Sequence, residues 1–171
     1  MTRLHTAYLT SRQLHIWDLL RDGLSQSAIA RRLSITRQAV NQSAQTIPHK
    51  ITEALQDAAR LNGVEPRQMD SARGILVGWS RVFQTEAVIT LSPEAGLRVW
   101  YQHNLGQCKI CSDRRQCRST LLRGIDDLGA TLTRQERELE PSKLSSLIFR
   151  RALGQDDKKG LLDRKKAHRI L

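Results

Sequence analysis

Apolar residues recur every three or four positions through the first fifty residues, in three blocks separated by short polar breaks. This period predicts three helices that turn their apolar faces toward a shared core. Thr10 and Ser25 stand just before the first two blocks as N-caps, Gly23 marks the end of the first helix, and the third helix is expected to start near Thr36. The predicted inward positions are Ile16, Leu19, Leu20, Ile29, Ala30, Leu33, Ala39 and Val40.

The third block continues into KITEALQDAARL, residues 50–61, where Ile51, Leu55 and Ala58 form one apolar stripe that predicts a linker helix. Pro48 lacks a backbone donor, so we expect it to interrupt and kink the chain before this linker helix. The stripe suits either a dimerisation surface or packing on the chain's own second module. The sequence leaves both interpretations open.

Beyond the stretch NGVEP, which has the composition of a linker, the pattern changes to that of strands. GILVGW, EAVITL and LRVWYQH predict three short strands, and SPEAG predicts a hairpin turn. Two later helices, one from Arg114 to about Leu128 and one opened by Pro141, are expected to cover this sheet. We therefore predict an α+β fold, in which a helix-turn-helix bundle and linker helix precede a small antiparallel sheet covered by C-terminal helices.

The predicted domains are a helix-turn-helix unit with its linker or dimerisation helix at 1–62, an α+β sensor module at 63–153, and a basic tail at 154–171. The chain has 28 Lys and Arg against 17 Asp and Glu, a formal net charge of +11. Such an excess favours polyanionic partners such as DNA. The sequence shows neither a signal peptide nor a membrane span, so we expect a cytoplasmic protein.

The third helix carries the polar groups expected of a DNA-binding helix. Arg pairs well with guanine, and Asn or Gln with adenine, in the major groove. The predicted groove-facing residues are Thr36, Arg37, Gln38, Asn41, Gln42 and Gln45. The predicted phosphate contacts, at helix ends, are Thr10, Arg12, Ser25, Gln26 and Lys50. The expected partner is double-stranded DNA, bound by a homodimer because one such unit contacts few base pairs.

This segment resembles the helix-turn-helix of LuxR-type response regulators and of region 4 of sigma factors, and also the N-terminal part of archaeal Tfx-type regulators. The shared positions are Leu9, Thr10, Arg12, Gly23, Leu24, Ser25, Ile29, Ala30, Leu33, Ile35, Val40, Ile47, Lys50 and Ile51. Gln13 departs from the LuxR pattern, which usually has an acid there, and Ser43 replaces a common His. The resemblance implies a DNA-binding regulator of transcription.

Cys108, Cys111 and Cys117, the only cysteines of the chain, form C-x2-C-x5-C. Clustered cysteines in a cytoplasmic protein favour metal or redox chemistry over disulfides. Four cations share this stretch: Lys109, Arg114, Arg115 and Arg118. We expect their field to lower the pKa of the thiols and to stabilise an anionic metal-thiolate centre.

Three interpretations of the cysteines stay open. In the first, they hold an iron-sulfur cluster, [4Fe-4S], with His103, an oxygen group or a small molecule as the fourth ligand. This stretch resembles the cluster-binding segments of oxygen-sensing Crp-superfamily regulators, WhiB-like proteins and some iron-sulfur nucleases, which add a fourth Cys. In the second, His103 completes a structural Cys3His zinc site. In the third, Cys117 is a helix-core residue and the other two are incidental.

We find no pattern of catalytic residues in the sequence, neither a phosphate-binding glycine loop nor a nucleophile elbow. The chain is therefore predicted to be a DNA-binding transcription regulator, not an enzyme, whose binding responds to redox state, oxygen or iron through the cluster. The alternatives are a constitutive DNA-binding protein with structural zinc, and a thiol-redox or nucleic-acid-processing enzyme.

Overall fold

The computed structural model describes residues 8–93, 95–102, 107–125 and 131–152, which form six helices and one four-stranded antiparallel sheet. The helices are α1 Ser11–Arg21, α2 Gln26–Leu33, α3 Arg37–Leu61, α4 Arg114–Gly124, α5 Arg134–Arg137 and α6 Pro141–Ala152. The strands are β1 Val64–Asp70, β2 Ile75–Ser80, β3 Thr85–Ser92 and β4 Gly96–Tyr101. The predicted α+β fold is confirmed. Within the described ranges, none of the helices has the length and apolarity needed to span a membrane.

The three N-terminal helices begin where the sequence predicts. The Thr10 hydroxyl oxygen accepts a hydrogen bond from the backbone N–H of Gln13 at 3.2 Å. In return, the Gln13 side-chain oxygen accepts one from the backbone N–H of Thr10 at 3.1 Å. Ser25 and Thr36 accept from amides in the first turns of α2 and α3. These bonds satisfy amides that a helix start leaves without partners, which fixes each starting point.

Pro48 does not interrupt the third helix, so the predicted break before a separate linker helix is wrong. α3 is one helix of 25 residues with Pro48 inside it. A proline within a helix costs about 3 kcal/mol, chiefly through its lost hydrogen bond and a steric clash. Ile47 and Ile51 on either side are at most 1% exposed. Their burial offsets that cost and keeps the helix continuous.

The sheet has the order β1-β2-β3-β4, and each strand pairs antiparallel with the next. One face packs against α1 and α3 in a single hydrophobic cluster. The sheet residues of this cluster are Val64, Met69, Leu76, Ala87, Ile89, Leu91, Leu97, Val99 and Tyr101. The apolar stripe of α3 lies in the same cluster, so the stripe packs on the chain's own sheet. The predicted boundary at residue 62 stays a prediction, and the core extends across it.

The opposite face of the sheet packs against α4 and α6, as the sequence predicts. This second cluster contains Ile75, Val77, Val88, Leu121, Ile125, Leu144, Ile148, Phe149 and Ala152. Trp100 joins it from β4, and its indole N–H donates to Thr90 Oγ1 at 3.1 Å. Gly124 lets α4 approach this indole, because an added Cβ would lie 2.6 Å from Trp100 Cζ2. The protein therefore has three layers: the N-terminal helices, the sheet, and α4 with α6.

The prediction that NGVEP is a linker is wrong from Val64 onward, because β1 begins there. β1 is an edge strand, with most of its side chains exposed, and its pairing with β2 shifts register between Pro66 and Gln68. Edges and bulges are the places where a sheet tolerates proline. Three predicted features lie outside the described residues: His103, the helix end near Leu128, and the basic tail at 154–171.

Candidate nucleic-acid interface and cysteine segment

α2 and α3 form a helix-turn-helix around a buried apolar contact. Ile29 and Ala30 on α2 and Val40 on α3 are at most 7% exposed. Between the helices, Ser34 adopts a left-handed conformation with φ of 53°, and the Ile35 amide donates to the Ala30 carbonyl at 3.0 Å. This hydrogen bond closes the end of α2 and sends the chain directly into α3.

The first three turns of α3 present polar side chains to solvent. All six predicted groove-facing residues are exposed: Thr36, Arg37, Gln38, Asn41, Gln42 and Gln45. The Gln26 amide nitrogen lies 3.5 Å from Asn41 Oδ1, which orients one of these amides from α2. The exposed face therefore has both hydrogen-bond donors and acceptors, as contact with base edges requires.

The predicted phosphate contacts lie at the starts of α1 and α2 and in the middle of α3. Arg12 is exposed at the beginning of α1. The Thr10 and Ser25 hydroxyls accept the capping bonds, and each still has a hydrogen to donate to a phosphate oxygen. Gln26 is half-buried beside Ser25.

Gln13 connects α1 to α3 and is a site residue that the sequence interpretation missed. Its Oε1 accepts from the Lys50 ammonium at 3.1 Å as well as from the Thr10 amide. An acid at this position would form an ion pair with Lys50, whereas the neutral amide positions the ammonium and leaves its charge unneutralised. The capping-box spacing of Thr10 and Gln13 is the sequence signal that identifies the residue.

The three cysteines are free thiols, and each lines a different cavity. Cys108 is half-buried in a cavity of about 480 Å³ that also has Glu140 in its wall. Cys111 is exposed in a cavity of about 540 Å³, and Cys117 is exposed in one of about 440 Å³ between β4 and α4. The interpretation of Cys117 as a helix-core residue is therefore wrong, since its side chain is exposed and does not belong to the hydrophobic cluster beneath α4.

The predicted lowering of thiol pKa is wrong for Cys117. Desolvation raises the pKa of this thiol, and Coulombic interactions with Cys108, Cys111 and Asp113 add to the effect. Two of the arginines expected to lower the thiol pKa are paired instead with glutamates that lie between α5 and α6. The Arg114 guanidinium donates to Glu140 at 2.6 Å, and Arg118 donates to Glu138 at 3.2 Å.

The cysteine segment contains residue types that bind metal ions. Within the described ranges, however, these residues are not arranged as a metal site. Among those residues no three Cys, His, Asp or Glu side chains come close enough together to hold a metal ion. The cysteines alone therefore do not form a closed zinc or iron-sulfur site. His103 and any other ligand from residues 103–106 lie outside the described ranges.

Comparison of the chain with protein-family models, curated proteins and solved structures finds no match. The assignment of function therefore depends on the side chains and their arrangement.

Proposed function

We propose that this chain is a sequence-specific DNA-binding protein that regulates transcription, with the first half of α3 in the major groove. The carrying observation is the asymmetry of α3. Its second half packs one face against the sheet, where Ile51, Ala54 and Leu55 are 0% exposed. Its first half packs one face against α2 and presents other side chains to solvent: Arg37, Gln38, Asn41, Gln42 and Gln45. A helix fixed along one half to a core holds its other half rigidly for insertion into a groove.

The chemistry of the exposed half suits base recognition. The Arg37 guanidinium has the bidentate geometry for guanine, and the Asn41 amide has the paired donor and acceptor for adenine. Arg12 and Lys50 supply positive charge toward the flanking phosphates, in a chain with a net charge of +11. Binding as a homodimer to two half-sites is part of the proposal. That the chain is not an enzyme stays a prediction.

The test compares base-contact variants with a control on the same helix. Arg37→Ala or Asn41→Ala is expected to weaken binding to a selected DNA site by about 1–3 kcal/mol, or roughly 5- to 150-fold. Gln56→Ala changes an exposed residue in the second half of α3 and should leave affinity unchanged. Equal losses in all three variants, or none in any of them, would contradict the proposed orientation of α3.

We propose as a second element that the cysteine segment binds a metal or iron-sulfur centre that modulates DNA binding. The supporting observation is that three free thiols lie within ten residues, just before and within the first turns of α4, and α4 packs on the sheet face opposite α3. Anaerobic purification followed by metal analysis and an absorption spectrum tests it. A brown band near 400 nm that air abolishes indicates iron-sulfur, and a colourless zinc-bearing sample indicates the structural alternative. Material free of both metals contradicts this second element.

A further inference from the structure

A cavity of about 540 Å³ at the start of α4 has an unusually basic wall. Its lining residues are Lys109, Cys111, Ser112, Arg114, Arg115 and Arg118. Four of these six carry a positive charge, and none is acidic. Like charges that face one cavity repel each other, and an anion between them relieves this repulsion.

Two of the four cations are held in position by neighbouring groups. Arg114 donates to Glu140 at 2.6 Å, and Arg118 donates to the Leu139 carbonyl at 3.3 Å as well as to Glu138. Lys109 and Arg115 are exposed, and neither forms an ion pair with an acid among the described residues. The wall thus combines two guanidinium groups held by hydrogen bonds, those of Arg114 and Arg118, with two cations, Lys109 and Arg115, that form no ion pair among the described residues.

The first turn of α4, which contributes Arg114 and Arg115 to this cavity, also favours an anion. Arg114 and Arg115 occupy this turn, which contains no acidic residue, and Asp113 makes no side-chain capping bond. The amide end of a helix carries partial positive charge, so cations are disfavoured there and anions are stabilised. Arg114 is compensated by Glu140, whereas Arg115 has no acid within the described part of the chain to offset the unfavourable interaction, and a bound anion supplies the missing negative charge.

We propose that this basic cavity binds a phosphate group. Arginine forks match phosphate oxygens with paired hydrogen bonds, and the Ser112 hydroxyl supplies a further donor. The volume is within the range of small-ligand sites and accommodates a phosphorylated small molecule. The same chemistry accepts a phosphate of a nucleic-acid backbone. The cavity lies in the layer opposite α3, so this inference does not depend on base recognition by α3.

Calorimetric titration of the full chain with inorganic pyrophosphate, with and without a double change, tests the inference. Lys109→Gln with Arg115→Gln removes the two unpaired charges without disturbing the anchored arginines. Binding of pyrophosphate is expected to weaken at least tenfold in this variant. Arg123→Gln is the matched control, because Arg123 is exposed near the end of the same helix and does not line the cavity.

A second measurement distinguishes the source of the phosphate. If the ligand is a free phosphate compound, wild type and the control bind pyrophosphate equally and the double variant binds it at least tenfold more weakly. If the ligand is a backbone phosphate, pyrophosphate binds weakly to all three proteins, and the double variant alone shows a shallower salt dependence of DNA affinity, by about one to two released counterions. A double variant that matches the control in both measurements overturns the inference. Arg37→Ala should leave pyrophosphate binding intact, so failure here is separable from failure of the proposed DNA recognition.

Discussion

The shared core makes a direct prediction about Leu55. This side chain lies on the buried half of α3 and is 0% exposed, in the cluster that joins the N-terminal helices to the sheet. Leu55→Ala removes three carbon atoms from that contact. If the N-terminal helices and the sheet fold as one unit, this single substitution must lower the free energy of unfolding of both equally.

The magnitude follows from burial. Loss of the transfer free energy alone costs about 2.4 kcal/mol, at roughly 0.8 kcal/mol per buried carbon. The cavity left behind adds to this loss, and such substitutions in well-packed cores cost about 3–4 kcal/mol in total. For a chain of this size the midpoint of thermal unfolding should fall by about 10 °C.

The assay is urea unfolding, followed by the fluorescence of variants that retain only Trp17 or only Trp100. Trp17 lies in the core on the α1 side of the sheet and Trp100 in the core on the α4 side. Both signals should move to the same lower urea midpoint. Leu61→Ala is the control, because Leu61 is on the same helix but 81% exposed, and it should shift neither signal. If Leu55→Ala moves the Trp17 transition and leaves that of Trp100 in place, folding of the N-terminal helices and the sheet as one unit is refuted.

Gln13→Glu should pair its new carboxylate with Lys50 and weaken DNA binding several-fold at low salt without loss of stability; unchanged affinity in fluorescence anisotropy would count against a DNA contact by Lys50. Gly124→Ala places a Cβ 2.6 Å from Trp100 Cζ2, so a loss of about 1–3 kcal/mol is expected in urea unfolding, and an unchanged midpoint would contradict the close packing. Hydrogen bonds from Arg151, on α6, lower the pKa of the Glu136 carboxyl group from the usual 4.5 to about 2. Wild type should therefore lose stability between about pH 4.5 and pH 2 as this carboxylate is protonated, and Glu136→Gln should lack that part of the pH dependence in urea midpoints measured across this range.

Local signals in the sequence predicted the parts of the fold that local chemistry determines. Thr10, Ser25 and Thr36 begin their helices because each hydroxyl bonds an amide within three residues. The errors arose where distant contacts outweigh local preference. Pro48 stays helical because its neighbours are buried, and Pro66 is accommodated because β1 is an edge strand. Periodicity along the chain cannot reveal either contact.

In the candidate site, too, the features set by local sequence could be predicted and those set by distant contacts could not. Exposure of the polar face of α3 followed from the helical period, since the apolar positions opposite it must be buried. The bond between Gln13 and Lys50 joins residues 37 positions apart, so no local pattern predicts it. At Cys117, the neighbouring arginines suggested a lowered pKa, but Arg114 and Arg118 are paired with glutamates that follow 20 or more residues later. Their pairing depends on how α4 meets the α5–α6 segment.

The central claim is that the exposed half of α3 recognises a DNA sequence, and selection from a random library of short duplexes tests it most directly. The full-length chain should enrich one motif, and an Asn41→Ala variant with the wild-type unfolding midpoint should lose the preference at one or two positions of it. A wild-type chain that enriches no motif, or a variant that enriches the same motif with the same preference at every position, would contradict the account.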